Sequence, residues 1–315
     1  MTSSRPLISI IVASYNDAEY LPECLESVLA QTWSSWQAVV VDDGSRTGDA
    51  AAVVRAFGDE RIRFIRHERN LGAAAARNTA VRNSTGDLIA VLDSDDRLDQ
   101  TYVEKSSQFM VANPDCTVVF PDYYRFGLEH TYVQNPLLDK EALLEKQWIP
   151  FGGSMMRREV WEKIGGHLED PDLWMNVDWD FWLSGFELGL LEVGHIPEPL
   201  YWQRVRANSL SRREGPSEWR SRELMSTRHR ALYRESSVRR AFLSEGYWRS
   251  ATATFRCGDT LPALWLAVKG LKLAPRHSLT LVLGHVRRRL AKRRPSAAEV
   301  LAQEKPASVG KSPDA

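Results

Sequence analysis

Between residues 7 and 120 the chain repeats one unit: a short run of consecutive apolar residues, a polar cluster, and a stretch with helical periodicity. The apolar runs are Leu7–Ala13, Ala38–Val41, Ile62–Ile65, Leu88–Leu92 and Thr117–Phe120. Helical faces are expected between them at Glu19–Gln31, Asp49–Phe57, Gly72–Asn83 and Asp99–Ala112. Apolar runs without alternation imply burial on both faces, the condition of strands in a helix-covered parallel sheet. Strand, helix, strand at this spacing implies right-handed crossovers. The expected fold is therefore α/β, a Rossmann-like, mainly parallel sheet flanked by helices. Ligands of such sheets bind beyond the carboxyl ends of the strands. The polar clusters sit there: Ser14-Tyr15-Asn16, Asp42-Asp43-Gly44-Ser45 and Asp93-Ser94-Asp95-Asp96.

Beyond residue 121 the pattern loosens and aromatics accumulate, among them Tyr123, Tyr124, Trp148, Phe151, Trp161, Trp174, Trp179 and Trp182. Most are expected in the core. Phe151-Gly152-Gly153-Ser154 reads as a tight loop or a plain turn. Helices are expected at Arg158–Ile164 and Val177–Leu188 and a late strand at Leu200–Val205. Residues 216–275 read as helical, broken at Cys257-Gly258-Asp259, with Asp259 or Thr260 capping Leu261–Leu273.

The 41 Lys+Arg and 41 Asp+Glu cancel, but unevenly along the chain. Residues 1–215 hold 21 basic and 33 acidic side chains, a net of −12, and residues 216–315 hold 20 and 8, a net of +12. This division sets the expected organisation: a ligand-binding α/β domain over 1–215, a helical C-terminal region over 216–294, and a disordered tail over 295–315. At 43% hydrophobic and 26% charged residues the chain is neither disordered, collagenous nor a coiled coil. Its three cysteines form no CxxC pair, which argues against a zinc knuckle and fits a reducing compartment. No window reaches the roughly 18 apolar residues of a membrane span, and the first residues lack a signal-peptide core. A cytoplasmic location is expected.

Three carboxylates directly after an apolar strand repel one another unless a cation offsets them. Asp93 and Asp95 are hard oxygen ligands suited to Mg²⁺ or Mn²⁺ shared with substrate phosphates, and they equally suit a solvated turn before a helix. Asp43 can accept hydrogen bonds from a base or ribose, or belong to an Asx turn. Arg77, after Ala73–Ala76, can pair with a phosphate or sit on a packed helix. In Asp178-Trp179-Asp180 the two carboxylates lie about 200° apart on a helix. At most one of them faces a given cleft, where it can act as a general base.

In order and spacing, Pro6–Asn16, Leu25–Thr32, Val41-Asp-Asp-Gly-Ser45, Asn70-Leu-Gly72 with Ala76-Arg-Asn78, and Leu92-Asp-Ser-Asp-Asp96 closely resemble glycosyltransferase family 2. The resemblance is strong over 6–100, weaker to about 211, and fades in the helical part. It implies a GT-A fold and an inverting transferase using a nucleotide diphosphate sugar donor and a glycan or lipid-linked acceptor in cell-envelope or exopolysaccharide synthesis. It further implies that Ala13, Tyr15, Asp43 and Arg77 line the nucleotide site. Asp93 and Asp95 would form the metal-binding Asp-x-Asp, with Asp95 the likelier direct ligand, and Asp178 would be the base. Val177 stands where the family often has Glu. Arg206, within Tyr201–Ser211, stands where many members have a His that assists metal or diphosphate binding. Arg cannot ligate a metal but can neutralise a diphosphate.

Two other functions use the same residues: a sugar nucleotidyltransferase and a non-catalytic nucleotide-sugar binding protein. The first calls for Gly and Lys after the opening strand, where this chain has Ala13-Ser-Tyr-Asn-Asp17. The second is opposed by the intact Asp93, Asp95 and Asp178 and kept open by Val177 and Arg206. In Val286–Arg294 six of nine residues are Arg or Lys. No nucleic-acid recognition motif accompanies them, so no nucleic-acid partner is expected. With Leu279–Leu283 before it, the 278–294 stretch reads as an interfacial helix on an anionic membrane surface or as a solvated helix end.

Overall fold

The computed structural model describes residues 5–135, 140–145, 150–173, 175–207, 215 and 217–281. The elements in chain order are β1 (Ile8–Ser14), α1 (Leu21–Leu29), β2 (Trp36–Asp42), α2 (Ala50–Phe57), β3 (Ile62–Arg66), α3 (Ala73–Arg82), β4 (Leu88–Asp93), β5 (Arg97–Leu98) and α4 (Tyr102–Ala112). They continue with β6 (Val118–Gly127), β7 (Thr131–Val133), α5 (Lys140–Glu145), β8 (Met155–Arg157), α6 (Arg158–Ile164), α7 (Val177–Glu187), β9 (Val193–Val205), α8 (Glu218–Arg228), α9 (Ser236–Arg256) and α10 (Thr260–Leu273). Each apolar run of the first 120 residues is a strand, and each periodic stretch between them contains a helix.

β3, β2, β1 and β4 lie side by side and parallel. β8 joins β4 to β6 with antiparallel pairing on both sides. β9 is parallel to β6, and β5 and β7 close the sheet antiparallel on β9 and β6. The chain order reverses between β1 and β4, the topological switch point at which a crevice opens beyond the carboxyl ends. Alternate residues enter opposite layers: Ile8, Ile10 and Val12 pack with Leu25, Val54 and Met110, while Ile11, Val39 and Val41 pack with Ala76, Trp161 and Trp182. Burial on both faces accounts for the unbroken apolar runs.

The second layer reaches into the basic half of the chain. Met225 of α8, Tyr233, and Phe242 and Leu243 of α9 belong to the same apolar cluster as Trp179 and Trp182 of α7. Farther out, Tyr247 and Ala251 of α9 and Leu266 of α10 form a small cluster of their own.

β6 and β9 are longer than their apolar runs suggest. Asp122 sits fully buried inside β6, where it accepts hydrogen bonds from Tyr132 Oη, Asn135 N at 2.7 Å and His195 Nε2 at 2.7 Å. The β6–β9 register shifts on either side of it. A buried, satisfied carboxylate breaks the hydrophobic pattern without breaking the strand. α4 starts three residues later than its pattern, because Asp99 Oδ1 accepts from Thr101 N and Oγ1 at 2.9 and 2.6 Å. Trp148, Trp174, residues 208–211 of the Tyr201–Ser211 stretch, and everything from residue 282 onward lie outside the described residues.

Candidate active site

The register sets Ala13 of β1 level with Val41 of β2 and Asp93 of β4. The three polar clusters therefore share one edge of the sheet. Two loops lock together there. Asn16, at φ 57°, accepts on Oδ1 from the Arg46 and Thr47 amides at 2.8 and 3.2 Å, and its own amide donates to Ser45 Oγ at 2.8 Å. Tyr15 stands exposed at the rim, next to this lock. Asp42 forms the Asx turn, accepting from Ser45 N at 3.0 Å. Asp43 is buried, with Oδ1 on His67 Nδ1 at 2.7 Å and Leu71 N at 3.0 Å, and Oδ2 on Gly72 N at 2.7 Å. Asp43 thus ties the end of β2 to the entry of α3.

The four alanines Ala73–Ala76 let α3 lie close to the sheet, and this carries Arg77 inside. Its Nη1 donates to Asp178 Oδ1 at 2.6 Å and its Nη2 to Asp93 Oδ1 at 2.9 Å. The guanidinium lies 4.8 Å from the centre of the Phe151 ring. Burial alone disfavours its charge, but Asp178 and Asp93 outweigh that and hold the guanidinium more firmly protonated than usual. Asp178 is raised above the ordinary carboxylate range. Burial is the main cause, Asp93 adds to it, and Arg77 opposes it.

A second cationic cluster sits at the rim. Arg206 reaches Asp95 Oδ2 with Nη2 at 2.7 Å and Asp17 Oδ1 with Nη1 at 2.7 Å, and covers the Tyr20 ring at 4.7 Å. Ser94 Oγ donates to the other Asp17 oxygen at 3.0 Å. Burial, followed by the nearby charge of Asp93, pushes Asp95 up to about 6 against the pull of Arg206. Asp96 turns inward, accepting from Tyr201 Oη at 2.5 Å and Arg204 N at 2.6 Å. Asp96 is therefore structural, and Asp93 and Asp95 are the carboxylates of the cluster that face Arg77 and Arg206.

Among the described residues no group of three or more His, Cys, Asp or Glu side chains forms a metal cage. Asp93 and Asp95 nevertheless fit a shared divalent cation. Both are hard donors, their crowding raises Asp95, and each has one oxygen outside its arginine contact. Mg²⁺ and Mn²⁺ commonly take one or two carboxylates and complete their shell with substrate phosphate and water.

α7 separates its two carboxylates as helix geometry requires. Asp180 is buried on the far side, where His229 Nε2 meets Oδ1 at 2.9 Å and Arg228 Nε lies 3.4 Å from Oδ2. Trp179, Phe181 and Trp182 are buried, and Trp179 Nε1 donates to Leu143 O at 2.7 Å. The 151–154 loop is pressed onto Tyr201: a Cβ on Gly152 would lie 2.5 Å from the Tyr201 hydroxyl, and Gly153 is at φ 79°. That close approach holds Phe151 against Arg77. The site thus gathers Arg77, Asp93 and Asp178 in one cluster and Arg206, Asp95 and Asp17 beside it. Sequence reasoning missed Asp17, Tyr201 and His167. Asp17 and Tyr201 lie within or next to recognisable stretches, but nothing marks His167 as a site residue.

A mixed sheet, parallel through β3-β2-β1-β4 and antiparallel at β8, with helices on both faces is the arrangement of the GT-A fold. Solved structures share this fold. TarS residues 1–349 from S. aureus align with a TM-score of 0.64 at 17% identity, covering 86% of this chain and 82% of that one. The same TarS piece in complex with UDP-GlcNAc aligns at 0.65 and 18% identity, covering 84% and 79%. The Pyrobaculum calidifontis mannosyltransferase PcManGT, in complex with GDP-Man and Mn²⁺, aligns at 0.53 and 19% identity, covering 96% and 80%.

Sequence comparison identifies the family. The Glycosyl transferase family 2 model matches residues 9–165. TuaG of Bacillus subtilis, a glycosyltransferase assigned to teichuronic acid biosynthesis, is 32% identical over 218 residues, 67% of this chain and 84% of that protein. The glycosyltransferase GlyG of Streptococcus pneumoniae is 37% identical over 230 residues, 68% of this chain and 75% of that protein. The chain belongs to glycosyltransferase family 2, and it is a glycosyltransferase.

Proposed function

We propose that this glycosyltransferase moves a sugar from a nucleotide diphosphate sugar to an acceptor hydroxyl in one inverting displacement, with Asp178 as the base. The observation that carries this reading is the Arg77 bridge, which ties Asp178 to Asp93 at 2.6 and 2.9 Å. The base is thereby fixed beside the carboxylates that face the donor's diphosphate. A single displacement needs one base and no carboxylate nucleophile, in keeping with Asp180 being committed to His229 and Arg228. Burial raises Asp178 above the ordinary carboxylate range, the direction a general base needs. Ala13 and Tyr15 flank the nucleotide, and Asp43 fixes the loop that faces it. Arg206 neutralises charge on the diphosphate from the rim.

Asp93 and Asp95 would hold Mg²⁺ or Mn²⁺ together with the donor's diphosphate. The cation supplies positive charge where the leaving group becomes more negative. A cell-envelope glycan or lipid-linked acceptor is supported by the assignment of the relative TuaG to teichuronic acid biosynthesis. The enzyme is proposed to work in the cytoplasm, at the inner face of the membrane. Among the described residues no helix is long and apolar enough to cross a membrane. The outer face of α10 exposes Leu261, Leu264, Trp265, Val268 and Leu271, and residues 260–294 contain no Asp or Glu. An apolar stripe joined to a basic segment is what an anionic bilayer surface attracts.

The experiment is a panel of UDP-, GDP- and dTDP-hexoses, with nucleoside diphosphate release measured with and without acceptor glycan. Acceptor-stimulated release supports transfer. Binding with no release by any donor contradicts it. Sedimentation with anionic vesicles at low salt, reduced by removing 278–315, supports the membrane contact; unchanged sedimentation after truncation contradicts a role for that segment.

A further inference from the structure

His167 follows the Gly165-Gly166 turn after α6, and its side chain is fully buried. Its backbone is clamped by Asn78, whose Oδ1 accepts from His167 N at 2.9 Å and whose Nδ2 donates to His167 O at 2.8 Å. The same Nδ2 donates to Glu169 at 2.8 Å. The ring packs among Phe151, Trp161 and Phe181, with centroids 4.7, 5.1 and 5.1 Å away. An aromatic side chain would fill this pocket at no polar cost, yet the pocket holds an imidazole. Nδ1 lies 3.2 Å from the Val177 carbonyl, which can only accept, so Nδ1 carries the hydrogen. Nε2 then presents a lone pair. It is buried, has no hydrogen-bond partner, and lies 4.0 Å from Asp178 Oδ1.

We propose that His167 is a positioning residue for the transfer reaction, its Nε2 lone pair favouring the protonated form of Asp178 and so strengthening it as a base. This rests on Asp178 being the base. An orphaned buried acceptor is costly, and a lone pair 4.0 Å from a carboxylate oxygen makes that charge less favourable. Both penalties are relieved when Asp178 takes a proton. In the reaction the acceptor hydroxyl gives its proton to Asp178, and the hydroxyl oxygen's electron pair bonds to the anomeric carbon. The bond from that carbon to the diphosphate oxygen breaks, and its pair leaves with the diphosphate. The carboxylic acid so formed can donate to Nε2 after a closure of about 1 Å, the difference between 4.0 Å and a normal hydrogen bond. The charged groups facing this pair are Arg77, which touches Asp178 directly, Asp93 on the other arm of Arg77, and Glu169 behind Asn78. None of them donates to Nε2. Burial first and Arg77 second hold His167 well below its usual range, so it stays neutral and does not compete for the proton.

The test uses the full chain labelled with ¹³C at aspartate carboxyls, with Asp178→Asn identifying the Asp178 resonance. In His167→Phe the Asp178 midpoint is expected to fall by about one pH unit. The kcat of the donor turned over fastest in the panel is expected to drop about tenfold while its KM stays within about twofold. The acid limb of kcat is expected to move to lower pH, and His167→Gln, which keeps an acceptor oxygen, to restore part of the loss. A folded His167→Phe with unchanged midpoint and pH profile overturns the proposal. Should that variant not fold, ¹⁵N spectra of the parent imidazole decide: an unprotonated Nε2 at pH 7 is expected, and an Nε2–H or imidazolium overturns it. The underlying base assignment fails separately, if Asp178→Asn transfers sugar at the parent rate.

Discussion

Two arginines organise the cleft, in opposite settings. Arg77 is buried, bridges Asp93 and Asp178, and has an aromatic ring behind it. Arg206 bridges Asp95 and Asp17 at the rim, with its side chain 29% exposed. Arg77 is the buried member of its cluster, and removing it would take the cation from Asp178, the deeper of its two partners, so Arg77 fixes geometry. A partly exposed cation shares its partners with water, so Arg206 is the one that the proposed function would turn toward an incoming diphosphate. The inner cluster is thus a preset frame and the rim cluster an adjustable one.

The strongest attack on that contrast is Arg77→Ala. It is expected to destabilise the fold by about 3–5 kcal/mol and to abolish transfer, as read by denaturant unfolding and product release. A loss below about 1 kcal/mol would make the inner cluster no different from the rim. Next comes chelation: EDTA is expected to remove transfer and Mn²⁺ or Mg²⁺ to restore it, and full activity after exhaustive chelation would leave Asp93 and Asp95 without a cation. Arg206→Ala is expected to raise donor KM about tenfold while stability changes by less than about 1 kcal/mol. A stability loss as large as that of Arg77→Ala would erase the distinction.

The smallest effect is a pH slope. His167 is held below its ordinary value, so the unfolded chain binds a proton that the folded one does not. The stability His167 contributes is complete above the unfolded value near 6.5 and is lost as pH falls below it. Between pH 6 and 5 the parent should lose about 1.4 kcal/mol per pH unit relative to His167→Phe. Parallel stability curves for the two proteins would contradict the buried, neutral assignment.

The strand-end part of the candidate site was legible because Ala13, Asp43 and Asp93 lie where apolar strands stop. Ala13 and Asp93 follow from where β1 and β4 stop. The opposed faces of Asp178 and Asp180 follow from helical pitch, and Asp180 indeed points to α8. What the sequence hid lies between elements. No local pattern says that Arg77 of α3 spans β4 and α7. Asp43 looked like a ligand for a base, but its carboxylate also has local work, on His67 and the 71–72 amides. β6 stayed half hidden because Asp122 is buried inside it. His167 left no signal, since a single histidine after a Gly-Gly turn says nothing about which carboxylate its ring will meet.

The central claim is that the Asp178 held by Arg77 is the base of this glycosyltransferase. Asp178→Asn is nearly isosteric, so it tests the base with little change of shape. With the donor selected from the panel, donor affinity should stay within about threefold while acceptor-dependent release falls about 10²–10⁴-fold. Release at the parent rate would contradict the assignment outright.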